Sequence, residues 1–252
     1  MSSHSVLLVH GAIQGPWYWD QFAGRLTQLG YDVHTVRLRG HDRHPGRLWY
    51  RISDYVKDVR DAMAEFDAPP VLVGHSMGGL LVERVIARQA VPGAVLLAAP
   101  PPGGLLPALL RIARRHPLVA LKVNATMSLR PLVASAELAR EFFFTPDTPA
   151  EVVEAHRPRQ QGESYLAFLD MLRPNTLRPR RGPNGAGVPV LVLGAGLDGV
   201  ITVDEVRRTA RSHGTEAEIF PRIGHYMIVD TGWPEVADRV DRWIRSLPRT
   251  TP

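Results

Sequence analysis

Short apolar runs alternate with stretches in which apolar residues recur at helical spacing along most of the chain. The runs that predict strands are Val6–Val9, Val33–Leu38, Val71–Val73, Ala94–Ala98, Val190–Leu193 and Glu218–Phe220. The stretches that predict helices are Pro16–Leu29, Ile52–Phe66, Leu80–Ala90, Val203–His213 and Pro234–Leu247. Strands that alternate with helices, and that are themselves almost continuously apolar, predict a mostly parallel sheet of about six strands with helices on both faces.

This alternation breaks between Pro100 and Gly187, where helix-like apolar spacing is bounded by segments rich in proline and glycine. We predict that residues 101–187 form a helical cap, or lid, inserted into a core made of residues 1–100 and 188–252. A second, independent domain is the alternative, which the location of this stretch between two strands disfavours.

The strongest chemical motif is Gly74-His75-Ser76-Met77-Gly78, which lies between a predicted strand and a predicted helix. This context is typical of a nucleophile elbow, in which a sharp turn holds the serine at positive φ with its hydroxyl above the sheet. Glycines at 74 and 78 would remove side chains that clash with the neighbouring elements. Serine needs an adjacent base to act as a nucleophile at neutral pH. The motif therefore predicts a Ser–His–acid triad.

The other triad members are predicted from chain order, because the acid and then the histidine follow later strands. Asp198 lies in the turn Gly194–Gly199 that follows the strand Val190–Leu193, and His225 comes after the last strand. Three other titratable residues of this region are expected to be solvated: Asp204, Glu205 and His213. The oxyanion hole would use the backbone N–H of Met77 and one from the loop of residues 10–13.

Composition excludes several other chemistries. The 252 residues contain no cysteine, which rules out disulfides, thiolate catalysis and cysteine-based metal sites. The net charge of +5 comes from dispersed arginines without interleaved aromatics, so no nucleic-acid partner is expected.

No apolar run approaches the length of a membrane span, and we expect a cytoplasmic protein with no integral membrane association. The pattern His41-Asp42-Arg43-His44 is too loose for a metal site, and we expect a loop at the mouth of the pocket.

These motifs together resemble the α/β-hydrolase superfamily over almost the whole chain. The residues that carry the resemblance are His10-Gly11, Arg39-Gly40-His41-Asp42, Gly74–Gly79, Asp198 and Gly224-His225. The resemblance implies an α/β-hydrolase fold with a helical lid, a triad of Ser76, Asp198 and His225, and oxyanion donors at Ala12 and Met77. It implies neither a cofactor nor a metal.

The segment His10-Gly11-Ala12-Ile13-Gln14-Gly15-Pro16-Trp17 is similar to the plant methylesterase and hydroxynitrile lyase group, and the N-terminal third matches that group best. The lyases pair a threonine near the oxyanion position with a lysine near the catalytic histidine. Ala12 stands at that position here, and no lysine follows Lys122. The resemblance therefore implies ester hydrolysis rather than cyanohydrin cleavage.

We therefore predict a serine hydrolase that cleaves carboxylic ester or thioester bonds of a small to medium lipophilic substrate through an acyl-enzyme on Ser76. The candidate pocket residues are Ile13, Trp17, Phe143, Phe168 and Tyr226. Three alternatives remain open on the same fold. They are an acyl-transfer, cyclisation or lyase enzyme with the same triad, a cofactor-independent oxygenase that uses His225 and Asp198, and a binding module. The sequence leaves the oligomeric state open.

Overall fold

Six parallel strands form a single sheet in the computed structural model, which describes residues 5–41, 49–175 and 187–248. The strands are β1 (Ser5–Val9), β2 (Asp32–Thr35), β3 (Val71–His75), β4 (Ala94–Leu97), β5 (Val190–Ala195) and β6 (Ala217–Phe220). Their order is β2-β1-β3-β4-β5-β6, and each neighbouring pair is parallel. The central strands β3 and β4 are buried throughout, as their apolar sequences predict. The predicted six-stranded parallel sheet is confirmed.

The helices follow the predicted alternation with small shifts at their ends. The helices of the described residues are α1 (Asp20–Gln28), α2 (Ile52–Met63), α3 (Met77–Ile86), α4 (Leu106–Arg115), α5 (Pro117–Thr126), α6 (Ala136–Phe143), α7 (Ala150–His156), α8 (Tyr165–Met171), α9 (Val203–Ser212) and α10 (Trp233–Ser246). The predicted strand to Leu38 is too long, because its last ladder bond runs from the Val36 N–H to the carbonyl of Leu8. Beyond it the chain turns towards α2, and Asp58 accepts from the Arg39 amide.

The strand order determines which face of the sheet each helix covers. The step from β1 to β2 runs in one direction across the sheet, and the steps from β2 to β3 and onwards run in the other. Because parallel crossovers are right-handed, helices of opposite steps lie on opposite faces. Helix α1 therefore covers one face, where it contacts α10, and α2 and α3 cover the other, where they contact each other.

All six strands point the same way, so the loops after them meet at one edge of the sheet. The direction of the crossovers reverses between β1 and β3, and such a switch point opens a crevice at the carboxyl ends of the strands. The loop after β1 begins at His10, and Ser76 directly follows β3. The topology therefore brings the predicted oxyanion loop and the predicted nucleophile side by side.

Five helices, α4 to α8, lie between β4 and β5 where the sequence predicts a cap. We call this stretch, described over residues 101–175, the helical insertion. The structure does not describe residues 176–186, which contain most of the proline- and glycine-rich end of the predicted cap. It also does not describe residues 42–44 of the pattern that was considered as a metal site. Among the helices that the structure describes, none is both long and apolar enough to cross a bilayer.

Candidate active site

Ser76 occupies a strained turn between β3 and α3. Its φ of 51° and ψ of −122° lie in a region that side chains with a Cβ rarely adopt. The turn is held because the Ser76 amide donates to the carbonyl of Leu97 on β4 at 2.9 Å, and the Gly79 amide donates to the carbonyl of Ser76 at 2.8 Å. Helix α3 begins at Met77, three residues earlier than predicted, so the serine lies directly at the N-terminus of the helix.

The two glycines of the motif allow backbone segments to approach too closely for a side chain. A Cβ at Gly74 would lie 2.6 Å from the carbonyl carbon of Gly78. A Cβ at Gly78 would lie 2.7 Å from the carbonyl oxygen of His10, and closer still to that of Val9. Real Cβ atoms do not tolerate such distances to backbone, so both positions require glycine for the turn to form against β1 and α3.

The structure brings Ser76, His225 and Asp198 together in one hydrogen-bonded series. Nε2 of His225 lies 3.0 Å from Oγ of Ser76, and Nδ1 lies 2.8 Å from Oδ2 of Asp198. The side chains of His225 and Asp198 are 3% and 1% exposed. Oδ1 of Asp198 accepts from the amides of Val200 at 2.7 Å and Ile201 at 2.8 Å. With both carboxylate oxygens engaged, Nδ1 carries the proton and Nε2 faces the serine hydroxyl as an acceptor.

The loop that carries His225 is fixed from two sides. Nε2 of His75 donates to the carbonyl of His225 at 2.8 Å, and the amide of Tyr226 donates to the carbonyl of Phe143 in the helical insertion at 2.8 Å. Burial, and then the nearby charge of His225, lower the pKa of His75 to about 3. His75 is therefore neutral at pH 7 and adds no positive charge beside His225.

The two backbone amides predicted to form an oxyanion hole belong to Met77 and Ala12. Met77 is the first residue of α3, and the amides of the first turn have no acceptor within a helix. Ala12 lies in the loop after β1 and, like Ser76, contributes to the lining of the same cavity. Neither amide has a hydrogen-bond acceptor among the described residues.

An apolar cavity of about 90 Å³ opens beside Ser76 and His225. Its polar lining residues are Gln14, Ser76, His225 and Tyr226. The helical insertion contributes most of its apolar lining: Leu105, Ala108, Leu109, Ile112, Ala120, Val123, Leu129, Leu132, Phe142, Phe143, Phe168 and Met171. Four of the five candidate pocket residues line this cavity: Ile13, Phe143, Phe168 and Tyr226. The fifth prediction, Trp17, is wrong for this cavity, because its ring lies against the guanidinium of Arg159 at 5.6 Å instead.

Comparisons with known proteins identify the family. The sequence profile of the alpha/beta hydrolase family matches residues 6–239. The chain belongs to this family. The predicted α/β-hydrolase fold is thereby confirmed.

The chain is also similar to plant esterases, as predicted. It is 33% identical to esterase PIR7B of Oryza sativa subsp. japonica over 108 residues, and 33% identical to methyl jasmonate esterase 1 of Vitis vinifera over 103 residues. The first match covers 40% of each chain, and the second covers 38% of this chain and 40% of the relative. The matched segments thus span about two fifths of the relatives' length.

A solved extracellular alpha/beta-hydrolase from a Paenibacillus species has the same fold as this chain. Its TM-score is 0.75 at 19% identity, and the match covers 95% of this chain and 98% of that chain. At this identity the likeness concerns the fold alone.

Sequence reasoning missed the buried carboxylate of Glu163, which lies just before α8 and contacts the loop after β1. Oε2 of Glu163 accepts from the Ile13 amide at 3.2 Å and from Nε2 of His41 at 3.1 Å. His41 is fully buried and is absent from the described cavity lining, and the rest of its predicted pocket-mouth loop lies outside the described residues. The pKa of His41 is lowered by burial, but the charge and hydrogen bond of Glu163 outweigh burial and raise it overall. No periodic or motif signal in the sequence marks this pair.

Two further predictions about charged residues are wrong. Glu205, expected to be solvated, is buried and forms a two-bond contact with Arg111 of α4 at 2.7 and 2.8 Å. His213, expected at the surface, has a buried ring whose Nε2 lies 2.8 Å from Glu83. The carboxylates of Glu205 and Glu83 can both be buried because each forms a hydrogen bond with a basic side chain that lies far away in the sequence. Among the residues that the structure describes, no group of three or more His, Cys, Asp or Glu side chains is arranged to hold a metal.

Proposed function

We propose that this protein is a serine hydrolase that cleaves carboxylic ester or thioester bonds through an acyl-enzyme on Ser76. The observation that carries the proposal is the hydrogen-bonded series from Asp198 through His225 to Ser76, placed at the mouth of an apolar cavity. Esterase names among the relatives support the same reaction class.

In this mechanism Oγ of Ser76 attacks the substrate carbonyl while Nε2 of His225 takes the hydroxyl proton. The carbonyl oxygen becomes an oxyanion, which the amides of Ala12 and Met77 stabilise. Asp198 holds the imidazole in the required tautomer and stabilises its positive charge. The leaving alcohol or thiol takes the proton from His225, and water then repeats the sequence to release the acid and restore the serine.

The substrate is a small to medium lipophilic ester, and the helical insertion, as a cap over residues 101–187, supplies its binding surface. Among the described lining residues there is no Asp, Glu, Lys or Arg, so an ionised acyl group would lose its hydration without a charged partner there. The relative from Vitis vinifera is named for the methyl ester of an acid. This name fits a cavity that takes an apolar acyl group beside a small leaving group.

The decisive experiment is covalent labelling with a fluorophosphonate, which reacts with an activated serine. Wild type should label, and Ser76→Ala should not. Ser246→Ala, which alters an exposed serine of α10, is the matched control and should label like wild type. Labelling that persists in Ser76→Ala would show that another residue is the nucleophile. An oxygen-consuming reaction that survives in Ser76→Ala would favour the oxygenase alternative.

A further inference from the structure

The residue after the proposed oxyanion donor has a backbone conformation that needs support from its surroundings. Ile13 has a φ of 57°, in the left-handed region that β-branched residues avoid. Such a conformation persists only where the neighbouring structure holds it. Because the peptide that joins Ala12 to Ile13 is rigid, whatever holds Ile13 also sets the position of Ala12.

One segment of the helical insertion holds Ile13 on both sides. The Ile13 amide donates to Oε2 of Glu163 at 3.2 Å, and the Gln161 amide donates to the Ile13 carbonyl at 2.8 Å. Ile13 and Glu163 are 150 positions apart in the sequence. These two bonds fix the peptide group before Ile13 and the one after it. They tie the loop after β1 to the insertion rather than to the sheet.

The carboxylate of Glu163 is itself held by three further donors. Oε1 accepts from the Tyr55 hydroxyl at 2.8 Å and from the Ser164 amide at 2.7 Å, and Nε2 of His41 lies 3.1 Å from Oε2. The other ring nitrogen of His41 lies 3.2 Å from the carbonyl of Arg39. Both nitrogens face oxygen acceptors, which favours the imidazolium as the partner of a carboxylate that is 3% exposed. A carboxylate with this many donors is a rigid support.

We propose that Glu163 is a positioning residue that holds the oxyanion loop in its catalytic shape through Ile13. The inference rests on the proposed oxyanion role of the Ala12 amide. Glu163 is absent from the described cavity lining, so its loss would affect the stabilisation of the transition state more than the binding of the substrate. The expected signature is a lower kcat with little change in KM.

The experiment compares Glu163→Ala, Glu163→Gln and a matched control, Asp170→Ala. Asp170 also ties the insertion to the core, because it accepts from the Arg51 side chain at 2.8 Å and from the Ile52 amide at 3.3 Å. Neither of these hydrogen bonds reaches the loop of residues 10–13. Fluorophosphonate labelling to completion counts the active sites, so that kcat is expressed per competent site and a folding defect is removed from the comparison.

Glu163→Ala should lower kcat per labelled site by at least about 10-fold, up to the roughly 10²–10³-fold loss that deletion of an oxyanion donor causes. KM should stay within about 3-fold of wild type. Glu163→Gln keeps one acceptor for the Ile13 amide and should recover part of the loss. Asp170→Ala should stay within about 2-fold of wild type, since it leaves the oxyanion loop untouched.

Amide hydrogen exchange in the peptide of residues 10–14 gives a readout that does not depend on activity. Exchange should be at least about 10-fold faster in Glu163→Ala than in wild type, and unchanged in Asp170→Ala. Unchanged exchange in Glu163→Ala, or an equal fall of kcat in both variants, would overturn the inference while leaving the proposed function intact. If wild type neither labels nor hydrolyses esters, the proposed function fails, and exchange alone decides whether Glu163 holds the loop.

Discussion

Replacing Asp198 by asparagine should nearly abolish activity without unfolding the site. Oδ1 accepts from the amides of Val200 and Ile201 at 2.7 and 2.8 Å, so the asparagine oxygen must take this place. The NH₂ group then faces Nδ1 of His225 at the former 2.8 Å contact. It can only donate, which forces the proton of the imidazole onto Nε2. In that tautomer His225 has no free lone pair to take the proton of Ser76.

The size of the loss follows from the charge that Asp198 contributes. A carboxylate 2.8 Å from the imidazolium stabilises it by about 6 kcal/mol at an effective dielectric constant of about 20. At 1.36 kcal/mol for each factor of ten in rate, this corresponds to about 10⁴-fold in kcat. The same substitution in a serine protease triad lowers kcat by about 10⁴-fold, which agrees with this magnitude.

The assay is the hydrolysis of a chromogenic ester, with kcat expressed per folded enzyme and the fold checked by circular dichroism. Asp204→Asn is the matched control, because Asp204 lies six positions later, is largely exposed and forms an ion pair with Arg207. It should keep wild-type activity within about 2-fold, as expected for an exposed ion pair. If Asp198→Asn retains more than about 10% of wild-type kcat, the assignment of Asp198 as the acid is wrong.

Three further predictions test the turn, the buried ion pair and the cavity. Gly78→Ala places a Cβ 2.7 Å from the carbonyl oxygen of His10. It should therefore lower the free energy of unfolding, measured by urea titration, by about 3 kcal/mol or more. A smaller loss would show that the turn can relax to accommodate the methyl group. The pKa of His41 is raised in the folded state, so the stability that its charge contributes is complete below about pH 6.5 and is lost as pH rises through the raised pKa. The difference in unfolding free energy between wild type and His41→Gln should therefore shrink from pH 6 to pH 9, and a growing difference would contradict the charge assignment. In a series of esters with lengthening acyl chains, kcat/KM should rise by about 4-fold per added methylene until the cavity is full. Phe168→Ala should move that limit to longer chains. A kcat/KM that does not change with chain length would contradict the proposed lipophilic substrate.

The three residues of the proposed triad could be predicted because each is marked by the residues next to it in the sequence. The motif around Ser76 is contained in five positions, and the steric need for Gly74 and Gly78 follows from the sharp turn itself. Asp198 and His225 lie in the loops that follow β5 and β6, three and five positions after the strands end, and parallel strands bring such loops to one edge of the sheet. Chain order and strand ends were therefore enough to bring three distant residues together.

The buried charged residues could not be predicted, because their burial depends on partners far away in the chain. Glu205 contacts Arg111 across 94 positions, and Glu163 contacts His41 across 122. A hydropathy pattern shows only a charged residue at each place and assigns it to solvent. The energy that permits burial comes from the partner, which the pattern does not identify. The prediction for Trp17 was wrong for a related reason. Its position after the proposed oxyanion loop does not determine the side-chain rotation that turns its ring towards Arg159.

The helical insertion supports the loops of the site as well as covering them. Gln161 and Glu163 bind Ile13 beside the proposed oxyanion donor, and the carbonyl of Phe143 accepts from the Tyr226 amide next to His225. Movement of the insertion as one body would either break these bonds or carry both loops away from Ser76. Because the same contacts hold the proposed oxyanion loop and the loop of His225, the shape of the site depends on the insertion staying docked on the core.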